Sequence, residues 1–321
     1  MRSKVLVELL NSVRNQTIYP NEILIIDGSL NEETQLILEN NTFKNVTYFK
    51  VDDKNRGLTK QRNYGIEKVN SNSEIVFFLD DDTILENDYF EEILKTYIKF
   101  PEAVAVGGYI INEIQWEKVN ENYNSKSNEF VFDSWKRIDG NRFVLRKKLG
   151  LDANVPPGYM PQFSNGRSLS FLPPSGKIYK VEQLMGGVSS FKKSVFNSNK
   201  FSTYFEGYGL YEDADFTIRI AKTGNLYLNT NAKLSHFHEV SGRPNQFKYG
   251  KMVVRNGWYV WRVKNPNPIF KDKIKWHLII VLLTFIRFGN SFTSTNKKAA
   301  FSETVGRIIG WLSLIFNKPK E

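Results

Sequence analysis

At 321 residues with 41% hydrophobic and 24% charged side chains, the composition is ordinary for a globular protein, and the chain can bury one large α/β domain or two modest ones. Cysteine is absent, which excludes disulfides, thiolate metal sites and a cysteine nucleophile, leaves catalysis to carboxylates, histidines or metal, and fits a reducing compartment. The net charge of +10 is uneven: from Ser241 onward there are 15 Lys and Arg against 3 Asp and Glu, leaving 29 against 31 before it. A localised basic excess implies a polyanionic neighbour, either nucleic acid or anionic lipid.

Leu6, Leu9, Leu10 and Val13 recur at helical spacing, so the first fifteen or so residues are predicted to form an amphipathic helix. No signal-peptide pattern opens the chain. After a turn at Tyr19-Pro20-Asn21, an apolar strand from Glu22 runs to Asp27, Gly28 and Ser29. A helix over 31–40, a strand over 45–51 and a helix over 57–69 follow. The loop Asn55 to Asn63 carries Arg56, Lys60 and Arg62 into that last helix start, where backbone amides and cations favour phosphate.

The run Ile75 to Leu79 reads as a buried strand that stops at Asp80, Asp81 and Asp82. Three adjacent carboxylates repel unless a cation or hydrogen-bond donor sits among them. Such oxygen ligands suit Mg²⁺ or Mn²⁺ shared with a substrate diphosphate. A solvated turn that starts the next helix is the plain alternative. A helix from about Glu86 to Phe100 and a strand over 103–107 complete an alternation that predicts a parallel sheet with helices on both faces. Ligands bind beyond the carboxyl ends of such strands, where Asp27 and Asp80 to Asp82 all lie.

Residues 110 to 180 lose the alternation and read as an irregular insertion or lid. Gly186-Gly187, ahead of a strand-like Val188 to Phe191, allows close approach to the backbone. A glycine-bearing loop then feeds a helix with an acidic first turn. Asp215 and Arg219 are spaced for an ion pair, whereas Glu212 and Asp213 have no partner in the local sequence and could serve as a general base towards a sugar hydroxyl. His236 and His238 share one face if their segment is extended, and near three aspartates they are candidate metal ligands.

The tail holds two apolar blocks, 276–288 and 305–316, each short of the roughly 20 residues a bilayer span needs. Both contain Trp and are flanked by Lys or Arg, which predicts helices lying in a membrane interface, with buried core helices as the alternative.

Taken together, Gln16-Thr17 with Glu22 to Ser29, Gly57-Leu58 to Ile66, Phe78 to Asp82, Gly186-Gly187 to Phe196, and Glu212 to Arg219 with Gly224 and His236 resemble the family 2 glycosyltransferases of the glycosyltransferase A fold, over roughly residues 5 to 245. The resemblance implies a Rossmann-like, mostly parallel α/β sheet with helices on both faces. It implies a nucleotide-sugar half over 1–109 and an acceptor and catalytic half over 110–240, followed by a basic helical tail over 241–321. It also implies metal-dependent, inverting transfer of a hexosyl or deoxyhexosyl group from a nucleotide diphosphate donor, UDP- or dTDP-linked, to a glycan or polyprenyl-linked acceptor in surface polysaccharide synthesis. Asp27 would hold the base, and Arg62 with Asp81 would lie against the nucleoside or diphosphate. Asp80, Asp82 and His236 would hold Mg²⁺ or Mn²⁺, Asp213 would deprotonate the acceptor, and Gly186, Gly187 and Glu212 would line the acceptor side. With its basic tail, the protein is expected on the cytoplasmic face of the membrane as a peripheral protein.

The family opens with a strand and a Tyr-Asn-Arg-like turn before the helix that begins here near Val5, whereas this chain opens on Met1-Arg2-Ser3. That strand is central in the family's sheet, so the expectation is two neighbours left unpaired and one nucleotide contact fewer. A degenerate, non-catalytic membrane-bound relative or partner subunit is therefore the alternative reading. A sugar nucleotidyltransferase is disfavoured because no glycine-rich basic loop follows the first strand. Nucleic acid is disfavoured because the basic residues sit beside apolar blocks.

Overall fold

The computed structural model describes residues 2–205, 208–237 and 245–319. In chain order the elements are α1 (Ser3–Arg14), β1 (Ile23–Asp27), α2 (Glu33–Glu39), β2 (Val46–Lys50), α3 (Leu58–Lys68), β3 (Ile75–Leu79), β4 (Thr83–Leu85), α4 (Tyr89–Lys99) and β5 (Ala103–Ile110). Next come β6 (Glu117–Lys118), β7 (Glu129–Phe132), β8 (Trp135–Ile138), α5 (Asn141–Lys148), β9 (Ile178–Val181), β10 (Val188–Lys192), α6 (Glu212–Ile220) and β11 (Asn225–His236). Three helices follow, α7 (Gln246–Lys264), α8 (Phe270–Thr293) and α9 (Lys297–Phe316). They fall into two compact units, Met1–Gln115 with Pro173–Val240, and Trp116–Leu172 with Ser241–Glu321.

In the first unit, β1 and β2 pair in parallel with Ile25 opposite Tyr48. A larger sheet has the order β3-β10-β5-β11-β4, with β9 added on β11. There β11 runs parallel to β5, while β10, β4 and β9 run antiparallel to their neighbours. The Rossmann-like α/β architecture with C-terminal helices is the one expected. Leu6, Leu9, Leu10 and Val13 turn one face of α1 into a core shared with Ile25, Leu85, Tyr89, Phe90 and Ile93. β4 escaped the sequence reading because three residues are too few for alternation to show.

β3 is half-buried along its whole length, not buried as expected. The reason is its pairing: among the described residues it pairs with β10 alone, as β1 pairs with β2 alone, so each has one edge outside any ladder.

In the second unit, residues read as an irregular insertion form a small antiparallel sheet, β6-β8-β7, and α5. Its centre is Arg167, which is buried, ion-paired to Asp139 and Asp152, and stacked over Phe130, Phe143 and Phe171. Strands of two to four residues carry little periodicity, so tertiary pairing decides them.

The tail helices pack through glycine: a Cβ on Gly250 would lie 2.1 Å from the Glu303 carbonyl oxygen, and one on Gly306 would lie 2.1 Å from that of Phe247. Only glycine lets α7 and α9 approach so closely. Helices α8 and α9 extend 24 and 20 residues, beyond the apolar blocks, and are long and apolar enough to cross a membrane by length and composition. The flanking polar residues continue the helices because nothing in them breaks the hydrogen-bond ladder. Trp276, expected at an interface, is instead buried against Trp258 and Trp261.

Candidate active site

The site residues come from strand ends and one helix start of the first unit. Asp27 ends β1 and is fully buried. Burial pushes its carboxyl up, but hydrogen bonds from the Ser29 amide and hydroxyl (both 2.8 Å) and from the Tyr48 hydroxyl (2.9 Å) outweigh that and hold it below the ordinary carboxylate range. A buried, anionic acceptor is thereby fixed at the end of the strand.

At the end of β3 the three carboxylates each meet a cation. Arg2 donates from its backbone amide and guanidinium to Asp81 and from Nη1 to Asp82 at 3.0 Å. His236 Nε2 lies 3.2 Å from Asp82 Oδ1, and its Nδ1 lies 3.5 Å from Glu113. Arg62 Nη2 lies 3.7 Å from Asp80. Burial works against ionised Asp82, yet His236 and Arg2 bring it down to about 2, while the hydrogen bonds to Asp82 and Glu113 raise His236 to about 9.

The ligand atoms of Asp80, Asp82 and His236 all lie within 4.8 Å of one another. Two hard oxygens and an imidazole nitrogen at that spacing fit Mg²⁺ or Mn²⁺. β4 and β11 create the arrangement: Thr83 pairs with His236 and Ser235 with Ile84, which carries a histidine 154 residues away to the aspartates. His238 lies outside the described residues.

The acidic start of α6 sits beside this cluster. Tyr211 caps it in the left-handed region at φ 72°, a conformation uncommon for a residue with a side chain and characteristic of functional loops. Glu212 is 4% exposed and ion-paired to Arg62, itself 9% exposed and lying over the rings of Phe78 and Phe201. Burial, outweighing Arg62, raises the Glu212 carboxyl to about 7. Glu212 thus has a partner across the fold where the local sequence shows none. Asp215 and Arg219 form the pair their spacing suggests, at 2.8 Å.

Asp213 Oδ2 accepts from the Gly186 amide at 3.3 Å. The glycine doublet is required by these approaches: a Cβ on Gly187 would lie 2.0 Å from Asp80 Cγ, and one on Gly186 would lie 2.5 Å from Arg62 Nη1. The doublet therefore joins the α6 carboxylates to the β3 cluster, and every described candidate residue beyond Asp27 lies in one connected network. Sequence reasoning missed Arg2, Tyr48 and Glu113. None stands in a motif, and each is recognisable only by what it touches.

The profile of Glycosyl transferase family 2 matches residues 1–184. The chain belongs to that family.

Among curated relatives, this family 2 chain is 32% identical over 104 residues to the glucosyl-dolichyl phosphate glucuronosyltransferase of Haloferax volcanii, covering 32% of this chain and 33% of that one. It is 29% identical over 124 residues to the O-antigen chain rhamnosyltransferase RfbN of Salmonella typhimurium, covering 37% and 38%. The matched stretch thus spans well under half of either relative. A solved structure of GalNAc-T7 with UDP, GalNAc and Mn²⁺ overlies 80% of this chain and 46% of its own, at 15% identity and a TM-score of 0.49.

Proposed function

We propose that the protein transfers a sugar, with inversion, from a nucleotide diphosphate donor to a glycan or lipid-linked acceptor in the synthesis of a surface polysaccharide. What carries the reading is the convergence of Asp80, Asp82 and His236 within 4.8 Å, with Asp213 tied to the same cluster through Gly186. Asp213 takes the acceptor hydroxyl proton as the new bond to the anomeric carbon forms and the bond to the diphosphate breaks on the opposite face. Asp80, Asp82 and His236 would hold Mg²⁺ or Mn²⁺, and the bound ion would offset charge on the departing diphosphate. Asp27 accepts from the base, and Arg62 with Asp81 flanks the nucleotide. Gly186, Gly187 and Glu212 line the acceptor side. The acceptor class is supported by the relatives' names, which pair sugar transfer with a dolichyl phosphate glycan and an O-antigen chain.

The tail, with its basic excess and two apolar helices, supports association with an anionic membrane at its cytoplasmic face. Calorimetric titration with UDP and dTDP, with and without Mn²⁺, on this chain and on Asp82→Ala tests the donor site. Metal-dependent binding that the variant loses is expected. Absence of binding to either nucleotide under every metal condition would sink the catalytic reading and favour a degenerate relative.

A further inference from the structure

The second unit contains an open cavity of about 690 Å³ bounded by α7, α8 and α9 and the segment after α9. Trp258, Arg262, Lys273, His277, Trp311 and Lys318 line it, together with leucine and isoleucine of α9. Its volume lies in the range of small-ligand sites.

Three cations thus face one space, and among the described residues none of them forms an ion pair with a carboxylate. Arg262 and Lys318 both lie about 6 Å from the Trp258 ring, at 6.0 and 5.9 Å. The indole neutralises neither charge. Trp311 Nε1–H donates to His277 Nδ1 at 2.9 Å, which places the proton of the neutral imidazole on Nε2 and makes that nitrogen a donor. Among the described residues the cavity therefore presents positive charge with no carboxylate paired to it, Arg262 donating from Nη2 to the Pro266 carbonyl. Its wall is apolar at the same time: Leu312 and Ile315 line it while remaining 46% and 67% exposed, so the apolar wall runs out onto the surface of α9 and on to Phe316 at 90%. An anion alone would satisfy the cations and leave this wall wet, whereas a neutral lipid would leave the cations without a counter-charge.

We infer that this cavity binds the phosphate head of a lipid, with Arg262, Lys273 and Lys318 around the phosphate and the chain along Trp311, Leu312 and Ile315. The site is separate from the carboxylate cluster, and its test reads binding alone, so it stands or falls independently of the transferase reading.

The full chain is titrated with phosphatidylcholine vesicles that do or do not contain phosphatidic acid with brominated chains, following quenching of tryptophan emission. The comparison set is Lys273→Ser/Lys318→Ser, in the cavity, and Lys297→Ser/Lys298→Ser, elsewhere in the tail, with far-ultraviolet circular dichroism confirming that both pairs fold. Each lysine facing anionic lipid contributes enough that losing two weakens binding by roughly thirtyfold. A loss of that order in the cavity pair and at most half of it, on a logarithmic scale, in the control pair is expected. Equal losses in both pairs would show generic charge attraction and overturn the site. Protection of the tryptophans by inorganic phosphate or diphosphate at the affinity seen for the lipid would overturn the lipid assignment, as would quenching equal with and without phosphatidic acid.

Discussion

Replacing Glu212 by Gln should flatten the pH dependence of stability between about pH 4.5 and 7. Glu212 is 4% exposed, and its carboxyl titrates near 7 in the fold against an ordinary value of 4.5. The proton is therefore held more tightly by the folded chain than by the unfolded one. The stabilisation it brings is fully present below about pH 4.5, declines as the unfolded chain ionises, and is gone above about 7. The difference of 7 less 4.5, or 2.5 pH units, sets an upper bound of about 3.5 kcal/mol at roughly 1.4 kcal/mol per unit. The amide of the Glu212→Gln variant would keep the shape and a hydrogen-bond acceptor for Arg62 but cannot ionise, so its curve should lack this slope and the variant should be the more stable form at pH 8. Arg62 retains its approach to Asp80 at 3.7 Å, which limits the cost of the lost charge. Because the chain has two compact units, exchange protection of α6 amides is the appropriate measure, read at pH 5, 6, 7 and 8. Parallel curves for wild type and variant across this range would refute the reasoning and place Glu212 as an ordinary ionised partner of Arg62.

Gly187→Ala should leave the fold intact yet weaken Mn²⁺-dependent UDP binding by roughly 10- to 100-fold in calorimetry, because the added Cβ would lie 2.0 Å from Asp80 Cγ and must displace a proposed metal ligand. Gly140→Ala, with nothing within 4 Å of its Cβ, is the neutral control. Gly306→Ala should lower the thermal midpoint followed by tryptophan emission, since the methyl meets the Phe247 carbonyl at 2.1 Å and must part α7 from α9 at a cost of about 1–3 kcal/mol. An unchanged midpoint would mean that the helices slide freely there. Tyr48→Phe removes the 2.9 Å donor to Asp27 and should weaken nucleotide binding by about 2- to 10-fold without changing its metal dependence. A change in the metal dependence would contradict the placement of Asp27 apart from the ion.

β2, α3 and β3 were legible to within a residue at each end, and β1 and α4 as elements expected two to three residues too long at one end, because each is a sustained apolar run or a helical repeat. So was the cation demand of Asp80 to Asp82, because three adjacent charges state their need locally. The Asp215–Arg219 pair was legible for the same reason, being one helical turn apart. The partners that meet the demand were not. Arg62 and Glu212 are 150 residues apart, and His236 reaches Asp82 only because β4 and β11 pair. The glycine doublet was visible, but only the fold shows that Asp80 and Arg62 leave no room for a side chain there.

The strand edges and the second unit divide in the same way. Hydrophobicity identified β3 as a strand, but its burial depended on which neighbours pair with it, a non-local property. The polar stretch after Ile110 gave no pattern because its order rests on an internal centre, Arg167 with two aspartates and three phenylalanines drawn from separate segments. In the tail, composition announced apolar helices and a basic excess. Tertiary packing alone buried Trp276 and brought Arg262, Lys273 and Lys318 to one cavity, because charge and ring positions along three helices become neighbours only when glycine lets the helices close.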